Sequence, residues 1–154
     1  MSSTPPPLPQ SLGSLNDSNI EEAKVGECTT DLKEVFELQE VLMQRYKQRA
    51  EDKGYYMPSW PVDISSKRDQ QACRDAGLKS VEELFEALQH LKNWKPHRNT
   101  EVKEFDRGAF MEEMVDHFHY YLELLIFMGS TPQEFVDAYI LKNAKNHQRL
   151  DSGY

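Results

Sequence analysis

Apolar residues in this chain recur every three or four positions, the spacing of one helix face, and no run alternates as a strand would. Leu32, Val35, Phe36, Leu38, Leu42, Met43 and Tyr46 predict a first helix from Asp31 to Asp52, stopped before Gly54. Residues 55–65, with Tyr55-Tyr-Met-Pro-Ser-Trp-Pro61, read as a loop. A short helix is predicted from Ser66 to Ala76, with Gly77 as its stop. Ser80-Val-Glu-Glu83 has the form of a capping box and opens a longer helix to Asn93, before Pro96. Its core stripe reads Leu84, Phe85, Ala87, Leu88 and Leu91. After a polar loop, another helix runs from Asp106 to Met128 and stops at Gly129. The last opens with Thr131-Pro132-Gln133-Glu134, a capping Thr followed by Pro at the first helical position, and extends to Arg149. Four main helices without strands predict an all-α fold with a four-helix-bundle-like core.

Residues 1–29 break this pattern. They are rich in Ser, Pro, Gly and Asn, offer few apolar groups to bury, and read as a disordered tail before one domain at 30–154. The net charge of −8 makes the chain a poor non-specific binder of nucleic acid or anionic membrane. A phosphate can be held only where local cations or a metal reverse the sign. Two cysteines, Cys28 and Cys73, give neither a disulfide framework nor a zinc spacing, which fits a reduced cytoplasm. No apolar run approaches the roughly 18 residues of a membrane span.

The helix faces carry the chemistry. On the third main helix, Phe110, Met114, Phe118, Tyr121, Leu122 and Leu125 form one apolar stripe. Glu113 and Asp116 share a second strip with Tyr120, Leu124 and Phe127. Carboxylates among large apolar groups are expensive to bury, and a bound cation makes them tolerable. Glu83 and Glu86, also three residues apart, offer a second pair opposite their own helix's stripe. Periodicity alone favours a solvated face for Glu83 and Glu86, but two helices with acids three residues apart can present four carboxylates together, an all-oxygen ligand set suited to Mg²⁺ or Mn²⁺ and to bridging substrate phosphates. On the last helix Phe135 and Tyr139 predict an inward stripe that turns cationic at Lys142, Asn146 and Arg149. Arg grips phosphate through two parallel hydrogen bonds, and Lys adds a point charge. His119 and Trp94 can face a base or pack as ordinary core residues. Together these features point to chemistry on a nucleoside triphosphate.

Glu83-Leu-Phe-Glu86 and Glu113-Met-Val-Asp116 resemble the paired metal motif of the all-α NTP pyrophosphatases, an acid-x-x-acid on each of two helices. The segment from Tyr139 through Lys142, Asn143, Asn146 and Arg149 to Gly153-Tyr154 resembles the nucleotide motif of the dimeric dUTPases and phage dCTP/dUTP pyrophosphatases. Phe36-Glu-Leu-Gln39 resembles that family's first-helix motif, which contacts the base. The resemblance spans residues 31–154. It implies Mg²⁺, or Mn²⁺, on Glu83, Glu86, Glu113 and Asp116. It implies phosphate and sugar contacts from Lys142, Asn146, Arg149 and Tyr154, and base contacts from Gln39, Trp94, His119 and Asn143. Glu86 and Glu83, with Lys142 and Arg149, would serve catalysis. A second Trp-Lys pair is missing after Trp94-Lys95, and Met43 stands where an Asn is common. Both departures touch the base and leave the choice of pyrimidine open.

The implied enzyme is a nucleoside triphosphate diphosphatase, MazG-like in fold. It would be a homodimer in the cytoplasm, or the host cytoplasm for a viral source. It would convert dUTP first, dCTP next, to monophosphate and pyrophosphate and so control the deoxynucleotide pool. The rival readings are a MazG-like enzyme for purine or modified triphosphates, and a helical interaction module with solvated acids.

Overall fold

The computed structural model describes residues 31–91, 94–99, 101 and 104–153. Among them are four helices and no strand: α1 (Leu32–Lys53), α2 (Lys67–Gln89), α3 (Arg107–Phe127) and α4 (Pro132–Asp151). The proline-rich segment 1–29 lies outside the described residues, as do Asn93, expected to end a helix, and Tyr154. The described chain forms two compact units, one holding α1 and α4, the other α2 and α3.

Local capping sets each helix start. Asp31 accepts a hydrogen bond from the Glu34 N–H at 2.9 Å, Asp106 from Ala109 N–H at 3.0 Å, and Thr131 Oγ1 from Glu134 N–H at 3.2 Å. Each satisfies an N–H that has no partner within its helix. At the other end of α1, Gly54 closes the helix with φ +74°, a conformation open to glycine. The buried line of α1 is Phe36, Gln39, Met43 and Ala50; Tyr46, expected in the core, is half exposed. Within the same unit, α1 and α4 touch over a short stretch.

The structure corrects one expectation about α2. The predicted short helix at 66–76 and the longer one from Ser80 are a single continuous helix. Ser66 is its cap, accepting from the Asp69 N–H at 3.3 Å, and the Asp69 carboxylate ties back to Ser66 Oγ and Asp63 N–H at 3.2 and 3.0 Å. The capping-box pattern at Ser80 is unused because a helical turn already precedes it. Gly77 remains helical. One interior glycine costs only about 1 kcal/mol relative to alanine, too little to break a helix held along its length by tertiary packing.

Gly129 does terminate α3. Its φ is +75°, and a Cβ there would sit 2.9 Å from Pro61 Cβ. The loop before α2 packs on this end of α3: Val62 N–H donates to Phe127 O at 2.8 Å, and the Trp60 and Phe127 rings lie 6.3 Å apart.

The two glycines therefore respond oppositely to a methyl group. At Gly77 an added Cβ meets only Leu124 Cδ2, at an ordinary 3.6 Å. Gly77→Ala is expected to stabilise by about 0.5–1 kcal/mol in urea denaturation. Gly129→Ala is expected to destabilise by more than about 1 kcal/mol, through strain and overlap with Pro61. A loss of stability in Gly77→Ala would contradict the continuous helix.

Candidate metal centre

α2 and α3 pack antiparallel, and named contacts fix their register. Gly77 faces Leu124, Lys79 Nζ lies 5.5 Å from the centre of the Tyr120 ring, and Ser80 bonds His117. The line of α2 turned inward consists of small or polar residues: Asp69, Cys73, Ala76, Ser80 and Ala87 are all buried. Glu83 continues this line between Ser80 and Ala87, at spacings of three and four residues.

This reverses the expected faces of α2. Of the predicted stripe Leu84, Phe85, Ala87, Leu88 and Leu91, only Ala87 is buried, and Phe85 is 63% exposed. Glu83 is in the seam rather than opposite the core. On α3 the buried residues are Leu122, Ile126 and Phe127, while Phe118 of the predicted stripe is exposed. Small side chains allow close helix approach, so the seam follows them rather than the largest apolar groups.

The seam brings acids together. Glu83, Glu86 and Glu113 each place a carboxylate oxygen within 4.8 Å of the others. Asp116 stands outside this tight group, but its charge reaches Glu83. Partial burial holds the Glu83 carboxyl above the usual glutamate range, and repulsion from Glu86, Asp116, Glu113 and Glu82 adds to the effect. No ion pair joins the described residues of this cluster. Hard oxygen donors at this separation, on two rigid helices, fit a divalent cation such as Mg²⁺ or Mn²⁺.

One turn from the acids lies a pair that sequence reasoning passed over. His117 Nδ1 is 2.7 Å from Ser80 O and 2.9 Å from Ser80 Oγ, and Ser80 Oγ donates to His117 O at 3.2 Å. Ser80 was read as a cap, and His119 was the histidine singled out. The available signal was Ser80 standing three residues before Glu83 and His117 four after Glu113.

The other expected site residues fall as follows. Gln39 is buried in α1, on the line of Phe36 and Met43. His119 is partly buried in α3, and Trp94 is exposed in the loop after α2. Lys142, Asn143, Asn146 and Arg149 are exposed on α4. Phe135 is partly buried and Tyr139 exposed, so the expected inward stripe of α4 is not buried in the single chain. Lys142, Asn146 and Arg149 still share one helix face by their spacing.

Two curated relatives are similar to this chain in sequence. The chain is 31% identical to a dCTP pyrophosphatase of Enterobacteria phage T4 over 106 residues, 59% of this chain and 62% of the relative. It is 40% identical to a dCTP pyrophosphatase of Enterobacteria phage LZ5 over 90 residues, 47% of this chain and 52% of the relative. This chain is similar to phage dCTP pyrophosphatases. It spans between half and two thirds of the length of these dCTP pyrophosphatases. No family model and no solved structure matches the chain. No described helix is long and apolar enough to cross a membrane.

The electrostatics of Glu83 make a prediction with a definite sign. Its folded-state pKa is raised, so its contribution to stability is intact below the ordinary value of 4.5 and is lost as pH rises through the raised value. In EDTA, Glu83→Gln is expected to melt above the native chain at pH 7, with the difference shrinking toward pH 4. Mn²⁺ should reverse the order at pH 7 by binding the native folded chain. Equal Mn²⁺ shifts in both proteins would remove Glu83 from the site.

Proposed function

We propose that the chain is a Mg²⁺-dependent nucleoside triphosphate pyrophosphatase that cleaves a pyrimidine deoxynucleotide between its α- and β-phosphates. The supporting observation is the convergence of Glu83, Glu86 and Glu113 in the α2–α3 seam. dCTP is placed first and dUTP second. This reverses the order drawn from sequence, because both named relatives are dCTP pyrophosphatases.

On this reading Glu83, Glu86, Glu113 and Asp116 hold the cation. A bound Mg²⁺, or Mn²⁺ in its place, would neutralise the phosphate chain and lower the pKa of water. Glu86 takes the proton of the water whose oxygen attacks the α-phosphorus. The bond from that phosphorus to the α–β bridging oxygen breaks, giving monophosphate and pyrophosphate. Lys142 and Arg149 of α4 stabilise charge on the departing phosphates, with Asn146 and Tyr154 on phosphate and sugar. Gln39, Trp94, His119 and Asn143 are assigned to the base.

Pyrophosphate release from dCTP, dUTP, dTTP and the purine triphosphates, with and without EDTA, tests the proposal. Metal-dependent release confined to dCTP or dUTP is expected, and Glu86→Gln should lower it by at least about 100-fold while the fold persists. Activity spread over purines would favour a MazG-like enzyme. No release from any triphosphate would leave the helical interaction module.

A homodimer belongs to the same proposal. Phe85 and Leu88 on α2, and Tyr139, Ile140, Leu141 and Leu150 on α4, are large apolar residues left exposed in the single chain. Such groups are cheaper to cover than to hydrate. Sedimentation equilibrium should give about twice the 18.0 kDa chain mass. A monomer at micromolar concentration would contradict the dimer.

A further inference from the structure

We propose that Ser80 and His117 clamp α2 to α3 and thereby set the spacing and register of the metal-binding carboxylates. His117 is a positioning residue on this account. The inference rests on the metal-dependent reading above and adds a determinant of affinity that lies outside the ligand set.

The hydrogen-bond geometry defines the clamp. His117 Nδ1 approaches the Ser80 carbonyl oxygen at 2.7 Å. A carbonyl oxygen only accepts, so Nδ1 must carry the proton and donate. Ser80 Oγ, 2.9 Å from the same nitrogen, then uses its own proton toward His117 O at 3.2 Å. Each residue thus donates to the other's backbone, and the two helices are cross-linked in both directions. Ser80 is buried, so these bonds face little competition from water.

Position gives the clamp its consequence. Ser80 lies one turn before Glu83, and His117 lies one turn after Glu113 and beside Asp116. The helices run antiparallel, so the clamp and the acid cluster occupy successive levels of one seam. Glu113 and Asp116 of α3 repel Glu83 of α2 across the seam, which opposes close approach of the helices at the acid level. The clamp resists at the next level. Sliding one helix by a single residue moves its carboxylates by about 1.5 Å, a large fraction of a ligand distance. A ring without Nδ1 releases both spacing and register.

Mn²⁺ affinity, read from the free-ion paramagnetic resonance signal, tests the clamp without reference to turnover. His117→Phe is expected to weaken binding at least about tenfold, the effect of losing an outer-shell partner, with Ser80→Ala losing less. His117→Asn places an amide N–H near the position of Nδ1 and should bind within about threefold of the native chain. His117→Gln reaches toward the position of the other ring nitrogen and should bind as weakly as His117→Phe. A merely structural role would move the Asn and Gln variants alike, because the two side chains share their polarity and differ by one methylene. Melting in EDTA confirms that each compared variant is folded. Native-level affinity in His117→Phe or Ser80→Ala, or equal affinity in the Asn and Gln variants, would overturn the clamp while leaving the metal reading intact. Failure of the native chain to take up Mn²⁺ would overturn the metal reading and the clamp together.

Discussion

The close approach of α2 and α3 governs the chemistry available to this unit. That approach depends on small side chains: Cys73, Ala76, Ser80 and Ala87 are buried along one line of α2, and Gly77 lies against Leu124. Larger residues on that line would hold the helices further apart. Glu83 shares the line, so its carboxylate enters the seam and meets Glu113 from the opposite helix. The acids are therefore brought together by backbone packing rather than by attraction to one another. Two regular helices hold such groups more rigidly than loops can.

This arrangement disfavours the charged form of Glu83. Burial and neighbouring carboxylates both oppose ionisation of Glu83. Neutral interactions hold the pair together from the acids toward the C-terminal end of α3. Ser80 and His117 cross-link the helices one turn away, and Trp60, Val62 and Pro61 pack around Phe127 and Gly129 at the far end of α3. The proposed pyrophosphatase activity needs this balance: a cation must be drawn in strongly, yet leave room to contact phosphate.

Much of the helical order was legible in the sequence because it is local. Asp31, Asp106 and Thr131 cap helices where the residue pattern placed them, and Gly54 and Gly129 end helices with positive φ. The acid pairs were legible because spacing fixes which groups share a helix face. Tertiary facts were not. Ser66 and Ser80 both precede an acid by three residues, and only the chain already wound ahead of Ser80 decides that Ser66 is the cap. The apolar stripe at Phe85 and Leu88 suggested a core, yet the helix pair closes on its small residues instead. Hydrophobicity marks surface that needs cover but does not say what covers it. The roles of Lys142, Asn146 and Arg149 rest on their common face alone, since all three are exposed on α4.

The central claim is that the carboxylates of the α2–α3 seam form one cation site. Crystals grown with Mn²⁺, with data collected to locate anomalous scattering, test it most directly. The account predicts a peak between α2 and α3, ligated by oxygens of Glu83, Glu86 and Glu113, with Asp116 drawn in. A Mn²⁺ peak elsewhere, or none with these side chains turned to solvent, would contradict it.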